Sequence, residues 1–199
     1  MQDLFVSGIT FRSATAQDSA DLALLGDMAT RRLYSYLWSQ TAAPGQSAFE
    51  FGRSIIRNNP EHLSWFGNWR VAERDGVLAG ALNSYLMPAP SPSDAAVPDV
   101  LKGLNDLKAM IAGTWYIAAA ALHPECQGQG YGEALLDEAE ALARAAGNTR
   151  LTLMVGSFNQ PARRLYLRCR FTEQAERPFT AFPGSDTPGT WILMAKDLC

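Results

Sequence analysis

With 199 residues, the chain is long enough for one domain with a sizeable core. Hydrophobic residues make up 47%, charged residues 19%, and the net charge is −3. This is an ordinary globular balance. It gives no whole-chain field to draw in nucleic acid or an anionic membrane, so any anionic ligand must be held by local groups. No apolar stretch approaches the ~20 residues of a membrane span, and residues 1–8 lack a basic region followed by a long apolar core. The cysteines, Cys126, Cys169 and Cys199, are scattered. With two histidines and no C-x-x-C, neither a disulfide framework nor a metal site is expected. A reducing cytoplasm fits this usage.

Residues 9–14 alternate in polarity and predict a first strand. Asp18 or Asp21 starts a helix whose stripe, Leu22, Leu25, Ala29, Leu33, Tyr36 and Leu37, runs unbroken to Pro44-Gly45. A second helix is expected over residues 47–58, capped by Ser47 and stopped before Pro60. Residues 69–74 and 77–87 flank Asp75-Gly76, a two-residue hairpin signal. Residues 88–98 hold four prolines and predict an extended loop. Helical spacing returns over 99–112, with Val100, Leu104, Leu107 and Ile111 on one face and Gly113 as a stop. Residues 88–113 thus form an insertion in an otherwise single domain covering 1–199.

The apolar run 114–122 predicts a buried strand. It leads into Gln127-Gly128-Gln129-Gly130-Tyr131-Gly132 and then a helix over 133–146, with Leu135, Ala139, Leu142 and Ala146 on one face. Glycines at alternate positions leave the main chain uncovered. Their N–H groups can converge at the positive end of the helix, a geometry that binds phosphate. No Lys-Ser or Lys-Thr follows, which excludes the P-loop, and Glu133 stands where the dinucleotide fingerprint needs glycine. A strand follows at 150–155, parallel to 114–122 by right-handed crossover. A helix follows at 161–169 with Pro161 in its first turn. The last strands are expected at 171–180 and 190–197. The fold class is α/β, a mixed and mostly antiparallel sheet with helices on both faces.

The spacing Gln127-x-x-Gly130-x-Gly132, preceded by Leu122-His123-Pro124, resembles the acetyl-CoA signature of the GCN5-related N-acetyltransferase (GNAT) superfamily. A second segment, Asn159-x-x-Ala162-x-x-x-Tyr166 with Phe171, resembles that family's other recognisable stretch. There Arg170 replaces the usual glycine. The resemblance runs from Ile9 to Leu198. It implies that the central parallel strand pair splays apart and that acetyl-CoA lies in the gap. Main-chain groups at Ala120, Ala121 and Leu122 would then pair with the pantetheine arm. The amides of Gln127, Gly128, Gln129, Gly130, Tyr131, Gly132 and Glu133 would hold the diphosphate, and Asn159 belongs to the same cofactor set. Arg163 and Arg164 either add charge there or form a solvated helix face.

The implied reaction is direct attack of an amine on the thioester. A typical alkylamine has a pKa near 10.4, so only about one molecule in 10³ is neutral at pH 7 and a base is needed. The N–H of Leu122 is the candidate donor to the carbonyl oxygen. Tyr166 matches the family tyrosine that often protonates the leaving thiolate, though a packed helix tyrosine would look the same. The central strand carries no carboxylate, which leaves Glu50, Glu125, His123, Asp94 and Asp99 as bases acting through water. Cys126 lacks a His/Asp constellation to make it a nucleophile. Trp38, Trp65, Trp69 and Tyr116 either line an acceptor pocket or, as is usual for such residues, fill the core. The expected activity is acetylation of the primary amine of a small molecule. Peptide acetylation and a silent acyl-CoA-binding module are the alternatives. The proline-rich insertion would act as a lid, or its helix would build a homodimer contact.

Overall fold

A computed structural model describes residues 8–90, 97–185 and 187–198. Asp94, and the part of the proline-rich loop around it, lie outside the described residues. The chain groups into two compact units, Met1–Asn83 with Ala119–Glu138 and Ser84–Ala118 with Ala139–Cys199.

In the first unit, β1 (Ile9–Ser13) pairs antiparallel with β2 (Trp69–Arg74), which pairs antiparallel with β3 (Val77–Leu86). The β2–β3 turn has positive φ at both central residues, Asp75 (52°) and Gly76 (75°), as an Asp-Gly hairpin requires. After β1, Thr15 caps a 3₁₀ turn at Ala16–Asp18 through a capping box. Asp18 also receives Arg12 Nη2 at 2.7 Å, while Arg12 Nε reaches Glu73 at 2.6 Å. The Arg12 guanidinium is the main reason that the Asp18 carboxyl is held down to about 2.

The single long helix expected after Asp18 is two helices, α1 (Ser19–Ala29) and α2 (Leu33–Thr41). The break falls at Arg31 (φ 51°) and Arg32 (φ 72°). Left-handed conformations cost non-glycine residues about 1–2 kcal/mol each, so local bonding must offset them. Thr30 Oγ1 donates to the Gly26 carbonyl at 2.9 Å, and Asp27 Oδ1 accepts the Ser35 amide at 2.7 Å, capping α2. A Cβ on Gly26 would stand 3.1 Å from Tyr34 and 3.2 Å from Trp69, so this glycine lets Tyr34 fold back onto α1. The apolar stripe runs on across the break, but in α2 the buried residues are Leu33 and Trp38, while Tyr36 and Leu37 of the stripe are only half-buried.

Helix α3 (Ala48–Asn58) starts with the Ser47–Glu50 capping box, and Gly52 makes room for the Trp38 ring. Leu22, Leu25, Trp38, Ile56, Trp69, Val71, Ala81 and Ala119 form the core of this unit. Trp38 and Trp69 are therefore core residues. Leu22, Leu25 and Ile56 are fully buried, each worth about 1.5–3 kcal/mol.

The second unit holds helix α4 (Asp99–Ala109), which ends before the expected residue 112 because Met110 and Ile111 close it with 3₁₀-type bonds to Leu107 and Lys108. Leu107 and Ile111 pack with Tyr85, Met87, Tyr116 and Leu193. Gly103 allows α4 to lie on β6 (Thr172–Pro178), since a Cβ there would stand 2.5 Å from the Pro178 carbonyl oxygen. Strand β4 (Trp115–Leu122) runs parallel to β5 (Arg150–Gly156) with the register Trp115↔Leu151 to Ile117↔Leu153. This ladder uses the first part of an eight-residue and a seven-residue strand. β7 (Thr190–Asp197) pairs antiparallel with both β5 and β6. The strand order is β1-β2-β3-β4-β5-β7-β6. The remaining helices are α5 (Tyr131–Ala145) and α6 (Gln160–Arg168). No helix among the described residues is long and apolar enough to cross a membrane.

Helix α6 ends in a Schellman motif, with Phe171 N–H donating to the Tyr166 carbonyl and Arg170 N–H to Leu167. The left-handed residue is Arg170, at φ 68°, so an arginine takes the turn where the motif's usual glycine would sit. Arg170→Gly is expected to stabilise the protein by about 1 kcal/mol, read as a higher urea midpoint with an unchanged m-value.

Candidate active site

The glycine turn lies in the first unit, between a 3₁₀ turn at Pro124–Cys126 and the start of α5. Gly128 (φ 74°) and Gly130 (φ 84°) are left-handed, and a Cβ on either would meet nothing within 4 Å. Glycine is therefore required here for its backbone and not for space. The turn closes itself at both ends. Gln127 N–H donates to the Pro124 carbonyl at 3.2 Å, and Glu133 N–H to that of Gly130 at 3.1 Å. Between them, none of the hydrogen bonds among the described residues uses the N–H of Gly128, Gln129, Gly130, Tyr131 or Gly132. Of the seven amides, those of Gln127 and Glu133 shape the turn itself. Residues 127–130 are exposed, while Tyr131 is buried and anchors the start of the helix. Farther along α5, Glu138 accepts Arg70 Nε of β2 at 2.7 Å. Such unpaired donors at a helix N-terminus favour an anion.

At the end of β4, His123 N–H donates to the Ala79 carbonyl at 2.9 Å. Strand alternation then turns the main chain of Ala121 toward β3 and that of Ala120 and Leu122 to the opposite edge. Gln127 confirms this direction, since its side-chain Nε2 reaches the Leu122 carbonyl at 3.1 Å. The N–H of Leu122 faces the same way as that carbonyl. Gly80 makes this arrangement possible. A Cβ at Gly80 would run into the Ala121 carbonyl oxygen and stand 2.7 Å from Leu122 Cδ2 and 3.1 Å from Leu122 Cα. Its φ lies outside the left-handed range, so the need for glycine is steric. Neither Gly80 nor Arg74 stands out in the sequence. Arg74 Nη1 donates to Gln129 Oε1 at 2.9 Å, and only the position of Arg74 beside the hairpin turn hints at the link.

Of the expected bases, Glu50 accepts the amide and hydroxyl of Ser47, which holds its carboxyl below the usual range and makes it a weaker base. Asp99 pairs with Lys102 at 2.6 Å and is lowered likewise. Glu125 is exposed and His123 half-buried, both beside the glycine turn.

The second unit holds Asn159, Arg163 and Tyr166. Asn159 is the N-cap of α6, and its side chain makes no capping bond. Arg163 Nη2 is paired with Glu173 at 2.6 Å and Nη1 reaches the Ser157 carbonyl, so its charge is largely neutralised. Tyr166 is half-buried, with its ring 5.9 Å from Phe171. Burial first, and Cys169 second, push its phenol up to about 12. At the carboxyl end of β5 sits a group unseen in the sequence. Phe179 lies 5.1 Å from Phe158, 5.3 Å from Trp191 and 6.0 Å from Phe182. Thr190 Oγ1 and Trp191 Nε1 are buried there with no hydrogen-bond partner among the described residues.

The Acetyltransferase (GNAT) family model matches residues 30–171, and the chain belongs to that family. Solved structures share the fold at low identity. One, an acetyltransferase, is 17% identical with a TM-score of 0.64, covering 96% of this chain and 100% of its own. An N-acetyltransferase from Staphylococcus aureus Mu50 is 15% identical with a TM-score of 0.60, covering 94% and 100%. yncA from Salmonella typhimurium, solved with its cofactor acetyl-CoA, is 19% identical with a TM-score of 0.57, covering 97% and 95%. Comparison with curated proteins gives no match.

Gly80→Ala is expected to displace the Ala121–Leu122 main chain while the protein stays folded. Acetyl transfer should fall about tenfold or more, since small misplacements at a reacting centre are costly. Steady-state rates beside a thermal melt check this.

Proposed function

We propose that the protein transfers the acetyl group of acetyl-CoA to the primary amine of a small molecule. The observation that carries this reading is the row of amides from Gly128 to Gly132, unpartnered among the described residues, at the start of α5. They suit the coenzyme's diphosphate, and the main-chain edge at Ala120 and Leu122 that faces away from β3 suits an extended pantetheine arm. Family membership and the acetyl-CoA bound to yncA support the same coenzyme.

The amine nitrogen attacks the thioester carbonyl carbon and the C–N bond forms. The carbonyl oxygen becomes negative and is met by the Leu122 N–H. Glu125 or His123, through water, takes the proton that the nitrogen sheds, since Glu50 and Asp99 are held in other bonds. The C–S bond then breaks and the thiolate leaves. Tyr166 is its hydrogen-bond donor. With its phenol pushed up to about 12 and a thiolate near 8.5, full transfer would run uphill by roughly 3.5 pKa units. Tyr166 thus stabilises the departing sulfur by a hydrogen bond, and solvent completes the protonation. The half-buried aromatic group around Phe179 supports a small acceptor, because rings of this kind pack on a carbon skeleton and attract an ammonium.

Titration calorimetry with acetyl-CoA, followed by a thiol-release assay over an amine panel, tests the reading. Binding without turnover on any amine would defeat the catalytic part, and no binding would defeat the whole. Gly130→Asp is expected to abolish coenzyme binding, measured by calorimetry, because it strains a left-handed position and sets a carboxylate against phosphate. Tyr166→Phe should lower kcat about tenfold with the acetyl-CoA Kd nearly unchanged. The wild-type phenol stays protonated until pH approaches 12, so it should cause no alkaline fall in kcat below about pH 11.

A further inference from the structure

We infer that Arg74, at the end of β2, is the cation that meets the coenzyme's phosphates. The inference rests on the coenzyme reading above and adds a residue to it from outside both sequence motifs. The chain carries a net charge of −3, so a polyanionic coenzyme gains nothing from the overall field and needs a local positive group. Arg163 is paired with Glu173 and does not supply one freely. Arg74 is differently placed. Its Nη1 donates to Gln129 Oε1 at 2.9 Å, and Gln129 sits between the two left-handed glycines of the turn.

Gln129 is itself held. Its Nε2 donates to the Glu125 carbonyl at 2.9 Å, so a carbonyl fixes one end of the amide and a guanidinium the other. The side chain therefore acts as a bracket that parks a guanidinium at the rim of the amide row. Arg74 keeps donors to spare. Its only carboxylate among the described residues is Asp75, 3.6 Å from Nε and 86% exposed, a weak and well-screened pair. The Arg74 side chain is itself 45% exposed, open to an incoming phosphate. A planar guanidinium can hold Gln129 with one nitrogen and present the others to an oxyanion. The Asp75-Gly76 hairpin turn thus carries a binding residue as well as a change of direction.

The test is calorimetry of wild type, Arg74→Gln and Arg74→Ala with CoA and with dephospho-CoA, which lacks the 3′-phosphate. Arg74→Gln keeps a donor toward Gln129 and removes the charge. Both variants should bind CoA about ten- to a hundred-fold more weakly, as expected for a lost charged hydrogen bond, and the gap should close in ~1 M salt. If the loss persists with dephospho-CoA, the contact is to the diphosphate. If it disappears, the contact is to the 3′-phosphate. Either result supports Arg74 as a phosphate ligand. Wild-type affinity in Arg74→Gln, with or without a loss in Arg74→Ala, would overturn the inference and leave Arg74 as no more than a strut for Gln129. A wild-type protein that binds no CoA would defeat the coenzyme reading and this one with it. Near-UV circular dichroism of the variants guards against a folding defect.

Discussion

Five consecutive main-chain N–H groups, from Gly128 to Gly132, have no acceptor among the described residues, and contacts of the first unit surround them. Unpaired donors of this kind cost free energy when shielded, so they persist where an anion or water can reach them. Here the turn is exposed while Tyr131 is buried. The turn spends its two outer amides, those of Gln127 and Glu133, on its own geometry. The side chains of Gln127 and Gln129 tie it to the Leu122 and Glu125 carbonyls. The Arg70–Glu138 pair anchors α5 to β2. A donor array that is rigid before the ligand arrives pays little ordering cost on binding.

The same economy governs the end of β4. Main-chain groups at Ala120 and Leu122 face away from β3 because His123 pairs with Ala79 and the strand alternates. Gly80 lets the two backbones approach closely enough to hold that line. The positions of these main-chain atoms are thus set by neighbouring residues. Burial around Tyr166 disfavours the phenolate and keeps its phenol neutral.

Strain and its compensation appear at several turns. Arg31, Arg32 and Arg170 all adopt left-handed conformations without glycine. At Arg170 the Schellman bonds hold the turn. At Arg31 and Arg32 the hydroxyl of Thr30 and the carboxylate of Asp27 stitch α1 to α2. Backbone strain of this sort survives only where surrounding bonds over-determine it.

The sequence by itself determined the strands, most helix starts, the Asp-Gly hairpin, the Ser47–Glu50 cap and the glycine turn. Each of these is written in local chemistry: a period of two or 3.6, a capping side chain, or a residue that tolerates positive φ. It also held both family motifs, since those are short and contiguous. Tertiary structure decided the rest. The α1–α2 break depends on bonds between residues eight apart, Asp27 and Ser35, under an unbroken apolar stripe. The Arg74–Gln129 bond spans 55 positions, and Gly80 matters only because β4 passes beside it. The aromatic group around Phe179 gathers residues from three separate segments. Contacts between distant residues leave no periodic trace in a sequence, because each partner's identity is constrained only once the chain has brought the two together.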